Sequence, residues 1–312
     1  MTQDRLLMYS PRHPLRSRTV PIRGLRYHVC EWGEAGAPPL VLLHGWMDVG
    51  ASFQFVVDQL QRRWHVLAPD WRGFGATEWP AADCYWFADY LGDLDALLEA
   101  LCGAAPVTLL GHSMGGNVAL LYAGIRPARV GHLVNIEGFG LRDARPEEAP
   151  QRYAQWLDEL KARPGLRDYE SLADVASRLR RTNPRLSEDK AQFLAQHWST
   201  AGADGRRRLA GDPAHRLVNP VLYRFAEVQA CWARIRAPVL WIEGAQTDAH
   251  KWAGGAAVLA ERRAALPGLQ YAVVEAAGHM VHHDQPAAVA RLIEGFVDAG
   301  AVSGGVSDAV CG

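Results

Sequence analysis

Six short apolar runs recur along the chain, separated by stretches with helical periodicity: "PLVLLHG" (39–45), "WHVLAPD" (64–70), "PVTLLGH" (106–112), "VGHLVNIE" (130–137), "PVLWIEG" (238–244) and "LQYAVVEAAGH" (269–279). None alternates cleanly between apolar and polar residues. Each therefore reads as a strand buried on both faces, and strands of that kind belong to a mostly parallel sheet with helices above and below. Each run ends in Gly or a polar residue, where the chain leaves the sheet's C-terminal edge. An earlier run, "LRYHVCEW" (25–32), does alternate and predicts an antiparallel strand. In "YWFADYLGDLDALLEALCG", Phe87, Tyr90, Leu94, Leu97 and Leu101 fall at three- and four-residue steps, which predicts an amphipathic helix stopped by Gly103. "MGGNVALLYAGIRP" predicts a second helix, ended at Pro127.

Between about 138 and 232 the rhythm changes. Charge rises, Pro and Arg are frequent, and "QRYAQWLDELKAR", "SLADVASRLRR" and "EDKAQFLAQHW" carry helical patterns with no strand between them. This stretch reads as a helical insertion between two strands. With 312 residues, 49% of them apolar, the chain can bury a large α/β core around such an insertion. Lys plus Arg (33) nearly balances Asp plus Glu (34), so no overall field recruits nucleic acid or an anionic membrane. Five widely spaced cysteines without a C-x-x-C argue against a disulfide framework or zinc site. The N-terminus has no apolar stretch fit for a signal peptide, and no window is long enough to span a bilayer. A cytoplasmic protein is expected, with residues 1–20 an N-terminal extension and 300–312 a disordered tail.

Three motifs carry chemistry. Gly111-His112-Ser113-Met114-Gly115 fits G-x-S-x-G between a buried strand and a helix. A serine on that turn needs glycines two residues away on either side, and the geometry lifts its hydroxyl above the sheet. The amide N–H of Met114, at a helix N-terminus, then faces any oxyanion formed by attack. His44-Gly45 after the strand "LVLLHGWMD" lets a loop turn back across the serine, offering the N–H of Trp46 as a second oxyanion donor. The loop "VVEAAGHMVHHDQP" (273–286) follows the last strand and supplies the general base. His279 is the first choice there, with His282 and His283 as rivals. His112 adjoins the serine but points away from it, and His44 reads as a brace for its own loop. His197 and His215 in the insertion read as surface or packing residues.

Taken in order, H-G-W, "PDWRGFGAT" (69–77), "GHSMGG" and "GHMVHHDQP" resemble the α/β-hydrolase superfamily over roughly residues 20 to 298. The resemblance implies an α/β fold: a mostly parallel eight-stranded sheet flanked by helices, with core segments 21–137 and 233–299 and an inserted helical cap at 138–232. It also implies that Asp70 and Arg72 are loop scaffolding. In most similar hydrolases the acid that orients the histidine follows the strand after the cap. Thr247 stands at that position here, and Asp248 lies one residue further on. In other branches the acid follows the strand before the cap, where Glu137 stands. Glu137 ranks first, Asp248 is the alternative, and Glu243 remains a third candidate.

A serine nucleophile points to a serine esterase-like hydrolase cleaving a small-molecule acyl substrate, uncharged or weakly polar, through an acyl-enzyme. Carbon–carbon bond hydrolysis of aromatic degradation products and cofactor-free haloperoxidase chemistry are the enzymatic alternatives. A non-catalytic ligand-binding protein on the same scaffold is the alternative from another class. Epoxide hydrolysis and dehalogenation use an aspartate at the elbow in similar enzymes, so serine argues against both. Met47, Phe139, Trp156 and Tyr223, with Trp46 and some of Trp198 and Phe225, are the candidate apolar lining. Asp212 and His215 lie on a turn-rich return from the insertion. No Walker-type loop, dinucleotide fingerprint or metal-ligand spacing appears, so no cofactor and no metal are expected.

Overall fold

The computed structural model describes residues 8–162, 165–266 and 268–303. Strands β1 (Arg16–Ile22) and β2 (Leu25–Gly33) form a hairpin, followed by β3 (Pro39–Leu43), the short helix α1 (Gln54–Val57) and β4 (His65–Pro69). Then come α2 (Phe87–Cys102), β5 (Val107–His112), α3 (Met114–Ile125) and β6 (Val130–Ile136). An inserted segment holds α4 (Ala149–Ala162), β7 (Asp168–Tyr169), α5 (Leu172–Thr182), α6 (Glu188–Trp198), β8 (Ser199–Ala201), β9 (Arg207–Leu209) and α7 (Phe225–Trp232). The chain returns through β10 (Val239–Gly244), α8 (His250–Ala253), α9 (Ala256–Ala264), β11 (Gln270–Val274), α10 (Val281–Asp284) and α11 (Pro286–Ser303).

Eight strands form one sheet in the order β1-β2-β4-β3-β5-β6-β10-β11. The β1–β2 and β2–β4 pairs are antiparallel and every other pair is parallel. Continuous apolar runs arise because successive residues serve opposite faces. Val41 and Leu43 of β3 join a cluster with Tyr90, Leu94 and Leu97 of α2 and Val118 of α3. Leu40 and Leu42 join a second cluster with Val56 of α1 and Val289, Ile293 and Phe296 of α11. With helices on both faces, neither set of side chains can be polar.

Two strands depart from the sequence reading, and the edge of a sheet explains both. The eighth strand is β1, inside the stretch read as an extension at 1–20. Its first four residues, Arg-Ser-Arg-Thr, are exposed and give no apolar signal. Such charge on an edge strand discourages pairing with a second molecule. At the other edge β11 reads as buried from its apolar run, yet Tyr271 and Val273 are about half exposed.

The inserted segment contains more than helices. Strands β7, β9 and β8 form a small antiparallel sheet. These strands are two or three residues long, too short for a period-2 pattern to register. Val175, Ala176 and Leu179 of α5 and Phe193 and Leu194 of α6 make a separate core with Phe55 beneath them. The segment is tied to the sheet by Trp198 Nε1, which donates to Asp48 Oδ1 at 3.0 Å, and by Asn183 Nδ2, which donates to Asp284 Oδ1 at 2.7 Å. The closing helix α11 continues to Ser303, past the start of the expected tail, and residues 304–312 lie outside the described residues. Among the described residues no helix is long and apolar enough to cross a membrane.

The "PDWRGFGAT" loop is held as scaffolding. Asp70 accepts from the amides of Gly50 and Ala76 and pairs with His28. Arg72 pairs with fully buried Asp93, which also takes Arg23 and the Tyr27 hydroxyl. Removing one partner of a buried, multiply bonded pair leaves the other charge uncompensated. Asp93→Ala is expected to cost about 3–5 kcal/mol of unfolding free energy. A denaturant titration measures it, and a loss below about 1 kcal/mol would place this pair in the surface class.

Candidate active site

Ser113 lies on the turn between β5 and α3 with φ 53° and ψ −115°, a conformation that costs an L-residue energy and persists only where its surroundings enforce it. The flanking glycines are part of that enforcement. A Cβ on Gly111 would lie 2.3 Å from the carbonyl oxygen of Gly115, and one on Gly115 would lie 2.2 Å from that of Leu43. Strand, turn and helix can meet this closely only without those side chains. The amide of Ser113 donates to the Ile136 carbonyl at 2.8 Å, which ties the turn to the neighbouring strand.

His279, from the loop after β11, meets this serine: its Nε2 lies 3.1 Å from Ser113 Oγ. Its Nδ1 lies 3.0 Å from Glu137 Oε2. With the carboxylate accepting from Nδ1–H, the ring presents a bare Nε2 to the serine hydroxyl. Glu137 follows β6 at φ 56° and is buried. Its oxygens accept from the Gly244 amide at 2.7 Å and from the Thr247 hydroxyl at 2.6 Å. Burial holds the Glu137 carboxyl above its ordinary range, and the bonds from His279, Thr247 and Gly244 pull the other way.

Asp248 is not brought to the histidine. Its side chain is 74% exposed and pairs with Lys251 at 3.1 Å. Thr247, at the place where similar hydrolases carry their acid, instead hydrogen-bonds the acid supplied by the other strand. Glu243 faces away from the site, bonded to Trp241, Arg263 and Tyr271.

The other histidines sort by partner. His44 Nδ1 contacts its neighbour's carbonyl, Gly45 O, and its Nε2 accepts from the Trp71 amide, the brace expected of it. His112 Nε2 donates to the His279 carbonyl at 2.9 Å, so the residue beside the serine steadies the histidine loop. His282 and His283 are buried below that loop and do not reach Ser113. His215, read as packing, is stacked between Phe74 and Tyr85 at 3.7 Å from each ring, and it also lines the cavity. Burial pushes its imidazole down to about 3.

A cavity of about 690 Å³ opens above Ser113, within the usual range of small-molecule sites. Trp46, Met47, Phe139 and Trp198 line it as expected, and Met114 joins them. Trp156 and Tyr223 do not. Trp156 Nε1 reaches the Asp83 carbonyl outside it, and Tyr223 is buried against Trp86 and Phe87. The aromatics before and inside α2, Tyr85, Trp86, Phe87 and Tyr90, take their place. The dense run "YWFADY" was a usable signal for this, since a single helix face cannot bury so many rings against the sheet. Among the described residues the amides of Trp46 and Met114 meet no protein acceptor, as the first N–H groups of a helix and an outward loop leave them.

Among the described residues two trios have donor atoms within 4.8 Å of one another and could hold a metal: partly buried His28 with Cys30 and Asp70, and the buried Asp48, His112 and His282. In the first, both oxygens of Asp70 are occupied by backbone amides. In the second, Asp48 Oδ2 lies 3.7 Å from His282 Nε2, and among the described residues neither ring nitrogen of His282 has a hydrogen-bond partner. His28 and Cys30 are two residues apart on β2, but the third member of that trio and all members of the other lie far apart in sequence.

This chain belongs to the alpha/beta hydrolase fold family, whose sequence signature matches residues 38–286. It is 26% identical over 285 residues to the 2-(acetamidomethylene)succinate hydrolase of Mesorhizobium japonicum, covering 91% of this chain and 95% of that enzyme. A serine hydrolase-like protein of Danio rerio is 29% identical over 192 residues, 57% of this chain and 55% of that protein. Epoxide hydrolase A of Mycobacterium tuberculosis is 31% identical over 201 residues, 60% of each chain. The matched region thus spans little more than half the length of these last two relatives. Among solved structures, the thioesterase domain from the curacin biosynthetic pathway superposes with a TM-score of 0.81 at 25% identity, covering 90% of this chain and 99% of that domain.

Proposed function

We propose that this chain is a serine hydrolase that cleaves an ester or related acyl bond through an acyl-enzyme on Ser113. The observation that carries the reading is the unbroken hydrogen-bonded line Ser113–His279–Glu137 at the floor of an apolar cavity. The Ser113 hydroxyl attacks the acyl carbon while its proton passes to Nε2 of His279. The oxyanion receives the amides of Trp46 and Met114, and losing one such donor typically costs roughly 10²–10³ in rate. As the tetrahedral intermediate collapses, His279 hands the proton to the departing alkoxide and the acyl group stays on Ser113. Water then yields a proton to the same nitrogen and attacks the acyl carbon, and Ser113 leaves as the free alcohol. Glu137 holds the imidazole in the required tautomer and stabilises its cation. The segment at 138–232 serves as a cap that shapes the pocket for a small-molecule acyl substrate, and no cofactor enters the cycle.

Epoxide opening, the activity in the name of one relative, requires a carboxylate nucleophile to form its alkyl ester, and Ser113 occupies that place here. A panel of short- and medium-chain p-nitrophenyl esters beside a coloured dienone tests the reading. Ester turnover that exceeds dienone turnover is expected. Cleavage of the dienone with no ester turnover would replace it with carbon–carbon bond hydrolysis.

A further inference from the structure

We propose that Arg178 makes the cavity a site for acyl substrates bearing a carboxylate remote from the bond that Ser113 attacks. The inference deepens the serine-hydrolase reading and rests on it for the scissile end only.

Most of the cavity lining is apolar, and most of its other polar side chains are already engaged by the protein, the buried Nε2 of His283 being one without a partner among the described residues. Asp48 accepts from the Val49 amide, the Ser52 hydroxyl and Trp198. Asn117 accepts from the Gly140 amide. Asn183 lies between Asp284 and the Arg185 amide, and Asn219 between the Tyr85 carbonyl and the Val221 amide. Arg178 differs from all of these. It is half-buried, it lines the cavity, and among the described residues its guanidinium has no carboxylate, carbonyl or aromatic partner.

Helix α5 explains how the cation reaches this place. Val175, Ala176 and Leu179 form the inward face and pack in the segment's own core. Arg178 and Thr182, one turn apart, lie on the flank beside that face and both line the cavity. The neighbouring charges are used elsewhere. Arg180 pairs with Glu188, and Asp174, one turn before Arg178, accepts from the Ser171 hydroxyl at the helix start. A guanidinium is weakly hydrated and offers a planar fork of donors that matches a carboxylate. In an apolar cavity that pairing is far stronger than in water.

The test compares kcat/KM for p-nitrophenyl hydrogen adipate with that for p-nitrophenyl hexanoate, each protein serving as its own reference. The wild type is expected to favour the anionic ester. Arg178→Gln should lower the anionic-to-neutral ratio about 10- to 100-fold, the worth of a lost charge-assisted bond. Arg178→Glu should lower it further, and Arg178→Lys should restore part of it. A ratio that is the same in wild type and Arg178→Gln overturns the proposal.

Equilibrium binding of monomethyl adipate and the neutral methyl hexanoate to the Ser113→Ala protein, with and without Arg178→Gln, reads the same preference with no chemistry involved. Arg178-dependent binding of monomethyl adipate in a protein that turns over neither p-nitrophenyl ester would sustain the anion subsite while the hydrolase reading fell. Ester turnover with equal binding of the anionic and neutral ligands would do the reverse.

Discussion

Replacing Ser113 by alanine is expected to lower kcat on a p-nitrophenyl ester by about 10⁴- to 10⁶-fold with the fold intact. The size follows from what the side chain does. On the proposed mechanism no acyl-enzyme forms without Oγ, and only the Trp46 and Met114 amides and the cavity would remain to assist a direct attack by water. His279→Ala should cost nearly as much, and the double variant little more than either single one, because the two groups act as a unit. Steady-state kinetics of the three proteins measures this. Independent, multiplying losses would show that the two residues do not share one proton transfer. The alanine leaves the strain of positive φ at position 113 in place, since it keeps the Cβ that makes that conformation costly.

The second large effect separates the two candidate acids. Glu137→Gln should reduce kcat by about 10³- to 10⁴-fold, because an amide NH2 facing Nδ1 favours the wrong imidazole tautomer. Asp248→Asn should stay within about twofold, since its carboxylate is exposed and bonded only to Lys251. Comparable losses in both would contradict the assignment. Stability should move differently from activity. Burial lifts the Glu137 carboxyl above its ordinary value of 4.5, so the folded state binds that proton more readily than the unfolded chain. Stability from this group is fully present below the ordinary value and is lost as pH rises through the raised one. Thermal melts should therefore shift in favour of Glu137→Gln as pH is raised from about 4 to 7. A shift the other way would mean that the bonds from Thr247 and Gly244 outweigh the desolvation.

How much of this was legible in the sequence depends on range. Ser113, the loop carrying Trp46 and His279 all follow strand ends, where a strand-to-turn pattern fixes both position and exposure. Glu137 could be ranked first but not chosen, because its advantage over Asp248 comes from Thr247 filling the rival's place and donating to it. That is a contact between two strands, and a linear pattern does not record it. Strand β1 gives no signal because an exposed edge needs no apolar residues, and β11 reads as buried, although it is an edge strand, because an edge can tolerate apolar residues. The cavity wall was the least legible part. Tyr223 and Tyr85 are similar in the sequence, and only the path of the inserted segment decides which of them faces the substrate. Arg178 is one of three arginines on α5, and its distinction is that it lines the cavity with, among the described residues, no partner for its guanidinium.

Mass spectrometry of the intact protein after a fluorophosphonate probe puts the nucleophile itself on trial. A single adduct that maps to the peptide carrying Ser113, is lost in Ser113→Ala and forms far more slowly in His279→Ala is the expected result. Folded wild-type protein that takes up no probe, or an adduct on another residue that survives Ser113→Ala, would contradict it and leave a ligand-binding protein on a hydrolase scaffold.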